Sequence, residues 1–158
     1  MTRIGITGHR GLPAPTARLI AQALRDALAA YGASVTGVSA LADGADQLFA
    51  RAILDQGGHI EVIVPATRYR EGLPAESHPE YDDLLRQASM VHRLEFTESN
   101  PESHMAASAL MISMISELIA VWAHQPARGH AGTADVITHA RQHQRPIRII
   151  WPEGATRD

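Results

Sequence analysis

Six short apolar runs, separated by helical patterns, constrain this chain more than any other feature. They occupy residues 3–7, 34–39, 60–65, 91–96, 118–123 and 147–151. Most are apolar throughout rather than alternating, which marks strands covered on both faces, as in a parallel sheet. Between them the apolar spacing changes to three and four. Ile20, Ala23, Leu24, Ala27, Leu28 and Tyr31 make one such stripe, with Thr16 as its cap and Gly32 as its stop. Ala45, Leu48, Phe49, Ala52 and Ile53 make a second, which places Asp46, Gln47, Arg51 and Asp55 on the opposite face. A short polar helix follows over 79–88. A fourth helix opens on Asn100, Pro101 and Glu102 and is apolar almost all round, which predicts deep burial. The fifth follows Gly132 and turns Val136, Ile137 and Ala140 inward.

Strand and helix alternating five times, with a sixth strand to close, predict an α/β fold. The expected form is a Rossmann-like, doubly wound, mostly parallel sheet of about six strands flanked by helices, in one domain over 1–158. With 45% hydrophobic residues the chain has enough apolar material for a core. The net charge of -3, with no basic arm or stripe, argues against duplex nucleic acid as a partner. The absence of cysteine excludes thiolate chemistry and disulfides and suits a cytoplasmic protein. The first residues meet a glycine and a histidine too early for a secretory leader. Residues 105–123 approach membrane length, but Glu117, the serines and the lack of basic anchors favour a buried helix and strand, and no membrane partner is expected.

In an open α/β sheet the ligand lies beyond the carboxyl ends of the strands. The loops at 8–15, 40–44, 66–78, 97–100 and 124–133 are therefore the ones to inspect. After the first strand, Gly8 permits close backbone approach, His9 can donate, accept or titrate, and Arg10 offers a planar fork for phosphate or carboxylate. After the second stand Ser39, Asp43, Gly44 and Asp46. Asp43 is a good helix cap and Asp46 suits the helix dipole, while an acid at this edge also suits a ribose hydroxyl. In the third loop, long enough to be a lid, Arg68 can pair with phosphate and Tyr69 can stack on a base. In the fifth, Gly129, His130, Gly132 and Thr133 lead into a helix start, a ready anion cradle. His139 and His143 have the spacing of a zinc pair but no third ligand, so neither metal nor cofactor is expected.

Three stretches in this order resemble the SLOG superfamily: ITGHR, GVSALADGADQLFARAIL and RGHAGTADVITHAR. That superfamily groups DprA/Smf proteins, LOG phosphoribohydrolases and nucleotide-sensing domains. The resemblance implies a Rossmann-like sheet and a nucleotide-type ligand. LOG enzymes carry a Pro-Gly-Gly-x-Gly-Thr-x-x-Glu pattern. Gly132 and Thr133 match its Gly-Thr, Val136 stands where its Glu belongs, and Arg128, Gly129 and His130 replace Pro-Gly-Gly. Asp135 is one position early, and one residue on a helix turns a side chain by ~100°. The reading is therefore a nucleotide-binding, sensor-type protein with a small-molecule nucleotide as partner and a homodimer as an open possibility. An N-glycosidic hydrolase or transferase is the alternative. It would recruit Asp135, Asp43 or Glu102 as its carboxylate. A protein-interaction domain is the third reading.

Overall fold

The computed structural model describes residues 1–123 and 132–157. Its strands are β1 (Thr2–Gly8), β2 (Val35–Ser39), β3 (His59–Ala66), β4 (Met90–Phe96), β5 (Glu117–Val121) and β6 (Ile147–Ile150). They form one six-stranded sheet in the order β4-β3-β2-β1-β5-β6, and every pairing is parallel. Five α-helices flank it among the described residues: α1 (Ala14–Leu28), α2 (Ala45–Asp55), α3 (His78–Gln87), α4 (Pro101–Met114) and α5 (Thr133–Gln142). This is the α/β, Rossmann-like architecture expected. No helix of the described residues is long and apolar enough to cross a membrane.

The connections step outward from β1 through β2 and β3 to β4, then return across the sheet to β5 on the other side of β1. Right-handed crossovers place helices of the outward and return legs on opposite faces. Two apolar clusters follow. Ile20, Leu24, Phe49, Ile53, Tyr81 and Leu84 from α1 to α3 pack with Ile4, Ile60 and Val62. Ala107, Met111, Ile112, Val136 and Ala140 from α4 and α5 pack with Val38, Ile63 and Leu118. A buried side chain of this size stabilises the fold by roughly 1.5–3 kcal/mol.

Helix starts differ from expectation where a proline or glycine sets the chain. α1 begins at Ala14 with Pro15 in its first turn, so Thr16 lies inside the helix and is not its cap. A proline fits there because the first amides of a helix have no intrahelical partner. The Thr16 hydroxyl instead accepts the Thr156 N–H at 2.9 Å, tying the C-terminal segment to α1. α2 begins at Ala45 after Gly44, whose φ of 89° favours glycine, and Asp43 lies outside it. α4 starts as expected: the Asn100 side chain accepts the Ser103 N–H at 2.9 Å in a capping box. Its burial is partial, with Ala107, Met111 and Ile112 inside and Met105, Ala109 and Leu110 partly open.

A cavity at the switch point

The strand order reverses between β1 and β5, and there the loops diverge to leave a cavity of about 300 Å³. β1 contributes Ile6, Thr7 and Gly8 to its wall, α4 contributes His104, Ala107, Ser108 and Met111, and the start of α5 contributes Gly132, Thr133, Ala134 and Val136. Asp46, Tyr69, Trp122 and Arg157 complete the polar and aromatic lining.

The frame is tight on the β1 side. His9 N–H bonds the Val121 carbonyl, and the His9 carbonyl accepts the Ala45 N–H, each at 3.3 Å. A Cβ on Gly8 would lie 2.4 Å from Ala45 Cβ and 2.9 Å from Val121 Cβ. One on Gly44 would lie 2.5 Å from the His9 carbonyl oxygen. Both positions therefore hold the end of β1 against the start of α2. His9 is buried and its Nε2 accepts the Ala123 N–H at 2.9 Å. Its ring meets Trp151 edge-on at 5.5 Å.

The sequence candidates separate on this frame. Gly8, His9, Arg10, Asp46, Tyr69, Gly132 and Thr133 line the cavity. Ser39 is fully buried; it accepts the Leu41 N–H at 3.0 Å and donates to the Asp46 carbonyl, holding the turn before α2. Asp43 binds Arg10 Nε at 2.8 Å and the Gly11 N–H at 2.9 Å, and lines a separate cleft with Glu76 and Glu80. Arg10 thus reaches the cavity already carrying a carboxylate partner. Arg68 is exposed and pairs with Glu71 and Glu98. Glu102 is exposed at the start of α4, and neither it nor Asp135 lines the cavity. Gly129 and His130 lie outside the described residues.

The loop expected as a lid is tied down. Arg70 pairs with Asp82 through two 2.8 Å bonds, and the His78 Nε2 bonds the Arg70 and Leu73 carbonyls at 2.7 and 3.0 Å. Tyr69 is drawn inward against Tyr81 and His104, with ring centroids 6.1 and 5.8 Å away. It forms a wall of the cavity rather than an exposed stacking platform.

The polar lining is open to a guest. Thr7, Tyr69 and Thr133 expose 8%, 4% and 8% of their surface, line the cavity, and have no hydrogen-bond partner for their hydroxyls among the described residues. No sealed side-chain polar atom of the described residues lacks a partner, so these hydroxyls face the cavity space. The first amides of α5 carry no side-chain cap. Burial pushes the Asp46 carboxyl up to about 7, against the Ala42 N–H and Arg10, which favour the ionised form; Asp43 adds to the rise. Burial lowers the His104 imidazole, with Arg10 adding to it, and its Nε2 lies 2.7 Å from Ser99 Oγ. The Tyr69 hydroxyl is raised by burial and then by the Asp46 charge.

Thr7, His104, Ser108 and Arg157 were not among the residues expected. Thr7 stood inside the first quoted motif. His104 and Ser108 sit on the helix that leaves β4 at the ligand edge, one turn and two turns after the Asn100 cap, a signal the apolar character of that helix hides. Nothing in the sequence points to Arg157.

No family model matches the chain, and no curated protein matches it. Solved structures do. DNA processing protein A from Helicobacter pylori, which binds single-stranded DNA, superposes with a TM-score of 0.69 at 16% identity, over 98% of this chain and 68% of that one. DNA processing protein A (DprA) from Streptococcus pneumoniae gives 0.70 at 15% identity over 98% of this chain, which spans about half (52%) of that longer chain. The molybdenum cofactor binding protein from Rippkaea orientalis gives 0.61 at 14% identity over 94% and 75%. DprA proteins are among those that the three sequence motifs resemble. At these identities the likeness is one of fold. It also corrects the partner reading: chains of this fold include a binder of single-stranded DNA, so the expectation of a nucleotide as the partner does not stand. The crevice belongs to the sheet, whereas the occupant is chosen by the loops around it.

Proposed function

We propose that this chain is a binding protein that takes a phosphate-bearing organic ligand into the switch-point cavity. The reading rests on the hydroxyls of three buried residues, Thr7, Tyr69 and Thr133, which have no partner among the described residues and open onto one cavity. Hydroxyls that open onto a cavity keep their hydrogen-bonding capacity for a guest or for ordered water. In this reading the anion meets the start of α5, where the Thr133 and Ala134 amides and the Thr133 hydroxyl are available and the helix carries roughly half a positive charge. Binding without cleavage is favoured by Val136. It lines the cavity where a LOG-type enzyme carries its carboxylate, and Asp135 does not line it.

The test is a titration with glycerol 3-phosphate and inorganic phosphate, followed in amide proton–nitrogen spectra. The Thr133 and Ala134 amides shift with both probes, and Thr133→Val weakens the organic phosphate about tenfold, the equivalent of one lost charge-assisted hydrogen bond. Unmoved amides at 133 and 134 would falsify the reading.

A further inference from the structure

Asp46 lies in the first turn of α2, yet its side chain is partly open to the cavity rather than to solvent on the polar face of the helix. Its Oδ2 accepts the Ala42 N–H at 3.3 Å, while Oδ1 has no partner among the described residues. Tyr69 lines the same cavity, with its hydroxyl likewise without a partner and within reach of the Asp46 field. The wall around them carries Ala40, Ala42 and Pro65, which offer no side-chain donor. The charged and titratable groups facing Asp46 are Arg10 from the β1 loop, Asp43 from its own loop and Tyr69 from the loop after β3. Across the cavity stand His104 on α4, His9 after β1 and Arg157 of the C-terminal segment. Arg10 is already paired with Asp43.

We propose that the Asp46 carboxylic acid, through Oδ1–H, and the Tyr69 hydroxyl form a two-donor subsite for a conjugated carbonyl oxygen of the ligand. Asp46 from the first turn of α2 and Tyr69 from the loop after β3 line one cavity, and each keeps a side-chain oxygen without a partner among the described residues. A neutral carboxylic acid beside a tyrosine is suited to an oxygen bearing partial negative charge, because neither donor brings a competing anion. An ionised Asp46 would repel the same oxygen. The burial that holds its proton to near neutrality is consistent with the donor role. The inference rests on the cavity being a ligand site. It adds a carbonyl end to a ligand whose anionic end meets α5.

The experiment uses N-methyl-2-pyridone, a compact conjugated amide with no ionisable proton, titrated into the whole protein from pH 5.5 to 8.5. Cavity resonances report its binding. Affinity is expected to fall as pH rises through about 7, as Asp46 loses its proton. Tyr69→Phe keeps the ring contacts with Tyr81 and His104 and weakens binding about tenfold, the loss of one donor. Asp46→Asn supplies an amide donor at the same place, so binding survives and loses its pH step. Absence of pyridone binding at pH 5.5, a flat pH profile in the wild type, or indifference to Tyr69→Phe each overturns the subsite. If pyridone moves the Thr7 and Thr133 resonances while pH and Tyr69→Phe change nothing, the subsite falls and the cavity reading survives. If pyridone behaves as expected while phosphates leave the 133 and 134 amides unmoved, the anion reading falls and the subsite stands.

Discussion

β1 and β3 carry a polar group of opposite character at each end. Near their amino ends Arg3 grips Glu61 with two bonds of 2.7 and 3.0 Å, its Nε donates to the Met114 carbonyl, and His92 Nε2 meets Glu61 Oε1 at 3.0 Å. Near their carboxyl ends Thr7, Tyr69 and Asp46 surround a cavity with donors and acceptors left over. The first cluster is closed: both oxygens of the buried carboxylate are occupied, so it holds three strands together and asks for nothing more. The second is open, and its unmet capacity is what a ligand would use. Polarity alone therefore distinguishes neither region; the state of the hydrogen bonds does.

The two carboxylates should respond to pH with opposite signs, and this is the largest effect expected. Asp46 is raised to about 7 by burial, so the folded state holds its proton longer than the unfolded chain, whose carboxyl titrates near ~3.9. Its contribution to stability therefore falls as pH rises between those values. Asp46→Asn removes that loss: the variant gains stability relative to wild type from pH 4 to pH 8, by up to about 4 kcal/mol as an upper bound. Denaturant unfolding at several pH values measures it, and a pH-independent difference would erase the contrast.

Next comes the frame of the open region. Gly8→Ala drives a Cβ to within 2.4 Å of Ala45 Cβ, and neither neighbour has a flexible end to move. Overpacking of this kind costs about 1–3 kcal/mol. A lowered unfolding midpoint accompanied by shifts in the α2 amides checks the assignment; an unchanged midpoint would mean the junction of β1 and α2 is loose.

The closed cluster should be the smaller lever. The Glu61 carboxyl is held below the ordinary carboxylate range, chiefly by the hydrogen bond from Arg3, with His92 adding to it. A lowered folded value means stability present above the unfolded value and lost as pH falls through the folded one. Glu61→Gln at pH 7 should cost about 1–2 kcal/mol, a figure discounted because the Arg3 side chain is 37% exposed. The same variant should show less acid sensitivity below pH 4 than wild type.

Smallest of all is Thr133→Val in the absence of ligand. Its hydroxyl has no partner among the described residues, so stability should stay within about 0.5 kcal/mol while phosphate binding drops. A large destabilisation would show that the hydroxyl is structural and would merge the two regions into one kind.

The fold was legible because buried parallel strands announce themselves as unbroken apolar runs, and all six fall within two residues of their places. The Asn100 cap was legible for the same local reason. What escaped the sequence depends on three-dimensional neighbours. Helical periodicity put Asp46 and Gln47 on the outer face of α2, but the loops after β1 and β3 cover the first turn. Gln47 is buried and donates to the Leu41 carbonyl at 3.1 Å. Thr16 has the residue type of a cap, but the helix starts two residues earlier, at Ala14 with Pro15 in its first turn. The cavity contributions of His104 and Ser108 were masked because α4 has little amphipathic contrast, and its two faces look alike until the sheet is placed beneath one of them.

The winding of the sheet also sets an order of assembly. β1 is made early, and β2 to β4 can add to one of its edges in turn, each within a short span of chain. Its other edge must wait for β5, as the bond from Ser116 Oγ to the Arg3 carbonyl shows by closing a separation of 113 residues. A growing chain therefore carries a half-built sheet with its central strand unpaired on one side until β5 arrives, and the cavity does not exist before then. A ligand of the kind proposed could neither template the early steps nor rescue a nascent chain stalled before β5. It would hold only the finished protein, and its grip would mark the moment synthesis has passed α5.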